Sequence, residues 1–338
     1  MRNITIIFII AIIICSSCHD KKNTVERLDI KAEIITDSLF SRLPGKLILC
    51  KPYLVWQSGF STDTFLYVID IEKKEEIGKM GVIGRGDKEF TTPVLGQTIG
   101  KNILVYDDNI VKQAFYSIDS LLQSKEPFIR LPEMPINGCT QLVQINDSTF
   151  ISLQPDQKYP FQIIRNYKSF SFFGKLPIKE DINNGYNVFQ GTLIYDPYSK
   201  NLLFSASRFP YIALYKKEGD SFMLKWEKKF PVGYSVKDKK LILNQENKSG
   251  LSSIIMTKDY IITLEKDEQT APIIKKPTSG VRDLSQLPYT MFLYDYDFNL
   301  KKIINLNMPL LRITGNSLSN TVYLIGLDGS YSIAKCNV

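Results

Sequence analysis

One short pattern recurs along this chain and limits what it can fold into. An apolar or aromatic stretch that ends in a polar residue appears as Tyr67-Val-Ile-Asp70, Tyr116-Ser-Ile-Asp119, Gln162-Ile-Ile-Arg165, Ala213-Leu-Tyr-Lys216, Leu293-Tyr-Asp-Tyr296 and Ser332-Ile-Ala-Lys335. The starts lie 49, 46, 51, 80 and 39 residues apart. A period near fifty is that of a repeated supersecondary unit, and four antiparallel strands with their turns fill such a length. The expected fold is therefore all-β, a six-bladed β-propeller of four-stranded antiparallel blades, with an insertion between residues 231 and 288. Two sandwich domains are the alternative architecture. The insertion holds Lys237-Asp-Lys-Lys240 and the polar, Pro-bearing stretch 265–288, which reads as long exposed loops.

Between these repeats the chain is made of short β-rich runs, such as Leu47 to Trp56, Asn102 to Asp107, Thr149 to Leu153, Leu202 to Ala206 and Tyr260 to Leu264. Each is bounded by Gly, Pro, Asn, Asp or Lys, the spacing of an all-β fold with few helical windows. Near the C-terminus, Thr321–Leu327 and Ser330–Cys336 flank Asp328-Gly329. That dipeptide predicts a hairpin closed by a type I′ turn, which needs two consecutive positive φ angles.

The N-terminus gives an address. Met1, Arg2 and Asn3 precede an apolar run from Ile4 to Ile14, then Ser16, Ser17 and Cys18. The run is too short to span a bilayer, which takes roughly 20 apolar residues. A charged start, a short apolar core and small residues before a cut describe an export signal. Residues 1–17 are thus the expected signal peptide; Ser16-Ser17 before Cys18 resembles the lipobox of bacterial lipoproteins, which implies Cys18 as the lipid attachment site, 18–27 as a polar lipidated tether and 28–338 as the propeller, the alternatives being an ordinary signal peptide cut nearby or an N-terminal anchor helix. The expected location is the cell envelope, as an outer-membrane-anchored lipoprotein that is periplasmic or surface-facing, with the membrane a partner through the lipid.

Charge and rare residues exclude several functions. The net charge of +7 is spread over lysine pairs such as Lys73-Lys74 and Lys228-Lys229, not over a basic tract, so no nucleic-acid partner is expected. The single histidine, His19, sits in the tether, which leaves no imidazole for Ser-His-Asp, Cys-His or two-His metal chemistry in the body. Cys50, Cys139 and Cys336 are too few for a disulfide framework; they read as buried thiols, or as one disulfide between two of them that sequence does not specify. Asp295-x-Asp297-x-Asn299 opens like a calcium loop, but Leu300 and Leu306 stand where glycine and glutamate belong. With Asp107-Asp108-Asn109 it reads as a turn, so neither a metal nor a cofactor is expected. Trp56 is expected in the core between sheets in preference to a ligand-stacking role.

Gly84-Arg85-Gly86-Asp87-Lys88-Glu89-Phe90 reads as a turn in which glycine permits φ values that a Cβ would forbid. No helix or Lys-Ser/Thr follows, so it is not a phosphate loop. The segment is similar to the Gly-Arg-Gly-x-x-Glu-Phe turn after the first blade of TolB-like six-bladed propeller lipoproteins of Gram-negative bacteria, with Asp87-Lys88 replacing Pro-Gly. Gln190–Pro197, Leu202–Ala206 and Ile212–Tyr215 resemble a middle blade of the same family. The candidate contacts, to a ligand or between blades, are Arg85, Glu89 and Arg208, with no catalytic residue assigned. The expected function is a lipid-anchored module that binds an envelope protein or a glycan or peptide ligand. The rival reading is a carboxylate-dependent hydrolase or lyase acting on glycans or peptides in the channel, which needs two acids near the axis. A purely structural subunit is a third reading, and it predicts an apolar patch and no deep pocket.

Overall fold

The computed structural model describes residues 25–37, 39–244, 251, 253–267, 287–306 and 308–338. The signal segment, Cys18, His19 and most of the stretch 265–288 lie outside the described residues. Six sheets form a six-bladed β-propeller. Two strands open the chain, β1 (Glu26–Asp29) and β2 (Glu33–Thr36). Blade 1 is β3 (Pro44–Cys50), β4 (Tyr53–Ser58), β5 (Thr64–Asp70) and β6 (Glu75–Ile83), with the two-residue β7 (Glu89–Phe90) parallel to β6. Blade 2 is β8 (Val94–Leu95), β9 (Asn102–Asp107), β10 (Lys112–Ser117) and β11 (Phe128–Arg130). Blade 3 is β12 (Gln141–Asn146), β13 (Thr149–Leu153), β14 (Phe161–Arg165) and β15 (Lys168–Phe173). Blade 4 is β16 (Gly191–Asp196), β17 (Asn201–Ala206), β18 (Tyr211–Glu218) and β19 (Ser221–Lys229).

A separate hairpin of β20 (Tyr234–Lys237) and β21 (Lys240–Leu243) follows. Blade 5 is β22 (Ile254–Met256), β23 (Ile261–Glu265), β24 (Thr290–Tyr294) and β25 (Leu300–Asn305), and β1 adds to its outer edge in parallel. Blade 6 joins β26 (Leu310–Thr314), β27 (Thr321–Asp328) and β28 (Ser330–Asn337) to β2, so the ring closes by pairing the chain's beginning with its end. Glu33 and Ile34 pair with Lys335 and Ala334, and Glu33 adds ion pairs to Lys74 and Lys335. All six recurrent sequence segments fall at the third strand of a blade or run from it into the turn or short helix that follows, which accounts for their period.

Blades stack face against face, so their middle strands are covered on both sides and read as unbroken apolar runs; β13 and β17 are buried throughout. The two faces are nevertheless distinct, because successive side chains point opposite ways. Ile103 and Val105 pack with blade 1, whereas Leu104 and Tyr106 pack with blade 3. Six apolar clusters result, one for each blade interface. Trp56 lies in the cluster between blades 6 and 1, 2% exposed and stacked on Tyr67 at 4.4 Å, as the sequence led us to expect. Outer strands meet water, and β19 is exposed at most positions. Among the described residues two short helices interrupt the pattern, α1 (Ile118–Leu122), capped by the Ser117 hydroxyl, and α2 (Gly185–Phe189). Among the described residues no helix is long and apolar enough to cross a membrane.

Four local expectations are corrected. The run Leu47 to Trp56 is two strands, because Pro52 lacks an N–H for the ladder and turns the chain after Lys51. The C-terminal hairpin is present, but Asp328 pairs with Ser330 and only Gly329 has a positive φ, so its turn is not type I′. The basic segment 237–240, read as loop, closes the β20–β21 hairpin, where Asp238 and Lys239 both have positive φ. Of the two readings of the cysteines, the buried thiols are found: Cys50, Cys139 and Cys336 are buried and free, and no disulfide joins them. β1 begins at Glu26, inside the stretch read as tether, and Leu28 packs against the apolar cluster of blades 5 and 6.

Candidate functional site

The inner strands β3, β8, β12, β16, β22 and β26 converge on the ring axis and enclose a cavity of ≈ 800 Å³. Small-molecule sites span about 300–1,000 Å³. The strands start at one end of this channel, as the hydrogen bonds between them show. Lys46 Nζ of blade 1 donates to Leu95 O of blade 2 at 2.9 Å and to Gln141 Oε1 of blade 3 at 3.2 Å. Arg312 of blade 6 donates from Nε to Gly45 O at 3.0 Å and from its guanidinium to Leu311 O at 2.8 Å. Gln57, Gln190 and Ser207 line the same end, which we call the mouth.

Deeper in the channel, alternate blades are tied by chords. Gln97 of blade 2 joins its side-chain amide to the main chain of Tyr195 in blade 4, donating to Tyr195 O at 2.6 Å and accepting from Tyr195 N at 2.5 Å. It passes blade 3, with which its backbone bonds through Leu142 and Gln144. Asp196 of blade 4 accepts from Ser317 Oγ of blade 6 at 2.5 Å, and also from the amides of Tyr198 and Ser199. The chords tie blades 2, 4 and 6 on the side of the channel away from the mouth.

The channel is electropositive. Its described lining carries Lys46, Lys51, Lys101 and Arg312 against one carboxylate, Asp196. Lys101 is ion-paired to Asp119, whereas Lys46 has no acidic partner among the described residues. Removal from water disfavours the charged ammonium, and burial brings the Lys46 pKa down to about 8. Two carboxyl groups at glycosidase-like separation are not found among the described channel residues. The deep cavity likewise differs from the expectation attached to a purely structural subunit.

The residues singled out from sequence lie elsewhere. Arg85 is exposed, and lines a separate cleft between blades 1 and 2 with Lys112, Arg130 and Glu133. Glu89 folds its carboxylate back into the turn and accepts from Gly86 N at 2.7 Å. A Cβ on Gly84 would lie 2.1 Å from that carboxylate, and neither Gly84 nor Gly86 has a positive φ. The glycines are needed for space, which corrects the conformational reading. Blade 2 holds this turn through Lys112 Nζ, which donates to Gly86 O and Glu89 O, and through the Arg130–Asp87 and Lys88–Glu126 pairs. Arg208 is exposed between β17 and β18, next to channel-lining Ser207, and is not brought together with Arg85 or Glu89 in either cavity. Cys18 lies outside the described residues.

The two acidic turns bind their own backbone. Asp107 accepts from the amides and hydroxyls of Thr91 and Thr92 and from Asn109 N. Asp295 accepts from Asp297 N, from Asn299 N and Nδ2 and from Lys301 Nζ. Burial raises the Asp295 pKa, but the Asn299, Lys301 and Asp297 donors outweigh it and leave the carboxyl at about 2. Among the described residues no cluster of three metal-ligating side chains forms.

The residues that sequence reasoning missed are Lys46, Gln97, Asp196 and Arg312. Their one local signal was a polar residue at or beside a short apolar strand, a signal shared by many turns.

Comparison with solved structures agrees on the fold. A member of the DUF4221 family from Bacteroides vulgatus superposes with a TM-score of 0.57 at 13% identity, covering 90% of this chain and 95% of its own. A protein from Bacteroides fragilis described as exported gives 0.55 at 9% identity, covering 92% and 98%. The calcium-binding protein regucalcin from Agrobacterium tumefaciens gives 0.52 at 9% identity, covering 92% and 95%. At such identities the likeness is one of fold. No protein-family model matches the chain, and no curated protein matches it.

Proposed function

We propose that this protein is a ligand-binding module of the cell envelope, anchored by lipid at Cys18, that takes a small molecule into its axial channel through the mouth formed by Lys46 and Arg312. The observation that carries the reading is the ≈ 800 Å³ cavity on the ring axis, lined by residues of all six blades, with cations and side-chain amides from every blade but the fifth, which adds Ser253. A rigid repeat scaffold with polar groups converging on a concave site is a favourable setting for small-molecule recognition. The export-type N-terminus and the resemblance to TolB-like lipoproteins support the envelope location, and the solved neighbour described as exported agrees with it.

Native mass spectrometry of the protein isolated from envelopes tests the channel. A bound mass is expected on the wild-type protein and its loss from Thr192→Trp, which fills the channel wall; retention in that variant refutes the reading. The anchor is tested by Cys18→Ala, which should move the protein to the soluble fraction, and unchanged membrane retention refutes it.

A further inference from the structure

We propose that the channel ligand is an acidic, polyhydroxylated small molecule of the sugar-acid class, with its carboxylate at Lys46 and its hydroxyls on the amides and hydroxyls of the wall. This inference rests on the channel reading and adds the chemistry of the occupant.

The charge argument starts from Lys46. An ammonium has three donors, and two are used on neutral acceptors, Leu95 O and Gln141 Oε1. A cation withdrawn from water is stabilised best by an opposite charge, and the described residues supply none to Lys46. The one carboxylate of the described lining, Asp196, is beyond the Gln97 level and engaged with Ser317 and two backbone amides. Arg312, on the adjoining inner strand, brings a second positive charge to the same rim, its guanidinium oriented by Gly45 O and Leu311 O. An anion entering the mouth therefore meets Lys46 first, with Arg312 beside it, and the one carboxylate of the described lining, Asp196, lies at the far end. Desolvation, which holds the Lys46 pKa near 8, also strengthens its attraction for an incoming negative group.

The hydroxyl argument comes from the wall. The side chains of Gln190, Thr192 and Ser253 line the cavity and make no hydrogen bond among the described residues, and Gln141 keeps its amide N–H₂ unused. Amides and hydroxyls each offer donor and acceptor, the pattern that answers a run of ligand hydroxyls. A bare inorganic anion would satisfy the cations and leave these groups without partners. A simple dicarboxylate would do the same.

Titration calorimetry of the Cys18→Ala domain with glucuronate, glucose and glutarate at low salt separates these terms. Glucuronate should bind at least tenfold more tightly than glucose, which lacks the charge, and at least fivefold more tightly than glutarate, which lacks the hydroxyls. Lys46→Gln, which removes the charge but keeps a side-chain N–H₂ donor, should abolish the preference over glucose while Thr192→Trp abolishes binding altogether. Glucuronate affinity should fall as pH rises through about 8, the range where Lys46 loses its proton, and Lys46→Gln should flatten that profile. Equal binding of glucuronate and glucose, with both lost in Thr192→Trp, overturns the charge inference and leaves the channel reading standing. Equal binding of glutarate overturns the sugar-acid class. Absence of glucuronate binding overturns this inference, and binding that persists in Thr192→Trp overturns the inference and the channel reading together.

Discussion

Replacing Asp107 should test how the propeller holds one of its blade connections. The Asp107 side chain is fully buried at the end of β9, and one of its oxygens accepts from Thr91 N, Thr91 Oγ1 and Thr92 N at 3.0, 2.8 and 2.7 Å. The other accepts from Thr92 Oγ1 and Asn109 N at 2.9 and 3.1 Å. These bonds tie the segment after β7 to the β9–β10 turn. Asp107→Ala takes the acceptor from three backbone N–H groups, those of Thr91, Thr92 and Asn109, at about 1–3 kcal/mol for each that stays away from water, while the threonine hydroxyls can rotate to other partners. A loss of about 4 kcal/mol is expected. Asp107→Asn keeps one oxygen for Thr91 N and Thr92 N but presents an N–H₂ to Asn109 N, so roughly 1–2 kcal/mol is expected. At about 2.1 cal/mol/K of unfolding entropy per residue, each kcal/mol moves the midpoint of a body this large by roughly 1.5 °C, which puts the alanine variant about 6 °C below wild type. Burial alone would raise the carboxyl pKa; the Thr92 and Thr91 donors overcome it and hold it below the ordinary value. A lowered folded pKa makes the contribution complete above the unfolded value of about 3.9 and progressively lost as pH falls through the folded one. Urea titrations followed by circular dichroism at pH 7 and pH 3 would show it. A cost below about 1 kcal/mol for Asp107→Ala, or a gap between wild type and Asp107→Asn that is the same at both pH values, refutes the reasoning.

Three further outcomes are expected. Ile35 is buried in the closing strand β2 while its neighbour Ile34 is 39% exposed, so Ile35→Ala should cost about 2–4 kcal/mol in urea unfolding and Ile34→Ala at most about 0.5; equal costs would mean the strand is not seated in this register. Gly84→Ala should push the Glu89 carboxylate out of its turn and cost about 1 kcal/mol, as should Glu89→Ala, and the double variant should cost no more than either, because both lose the same Gly86 N bond; additive losses in thermal melts would count against it. Burial raises the Cys50 and Cys336 thiols to about 12 and raises Cys139 as well, so the folded Cys18→Ala domain should not react with a thiol reagent at pH 8, and its three buried thiols should react in denaturant; rapid labelling of the native protein would contradict the packing.

The third strand of each blade was legible because it is apolar, packed between neighbouring blades and ends at a polar residue, so Tyr67 to Asp70 and Ser332 to Lys335 carry the repeat locally. The ring closure was not, since β2 and β28 pair across almost the whole chain and Glu33-Ile-Ile-Thr36 looks like any edge strand. Strands of two residues, β7 and β8, have no periodicity to read. Turn geometry was legible only in part: Asp328-Gly329 marked a hairpin correctly, yet the ladder runs one residue further and leaves Gly329 alone at the tip. The turn at Gly84 drew attention for its glycines, whose purpose turned out to be room for the Glu89 carboxylate. The channel was illegible for a different reason. Lys46 meets Leu95 and Gln141 across 49 and 95 residues of sequence, and the meeting depends on how six inner strands are placed about an axis. A polar residue facing a channel and one facing solvent obey the same alternation.

The asymmetry of the channel follows from how its strands are tied. At the mouth, neighbouring blades are linked through long cationic side chains that end on main-chain carbonyls and an amide, as Lys46 and Arg312 do. Such chains carry many rotamers and can reorient toward a stronger acceptor. Further in, Gln97 and Asp196 make short chords to groups with fixed positions, Tyr195 backbone and Ser317, which resist any spreading of blades 2, 4 and 6. On the proposed reading, a ligand that enters at the mouth exchanges the neutral partners of Lys46 for its own charge without disturbing the braces beneath. The ring need not open, because the blade interfaces are filled by six separate apolar clusters and the adjustable groups lie on the axis, outside them. Affinity in such a site is set by how well the ligand replaces the Leu95 and Gln141 acceptors of Lys46, and the rigid frame keeps the ordering cost of binding to a few side chains.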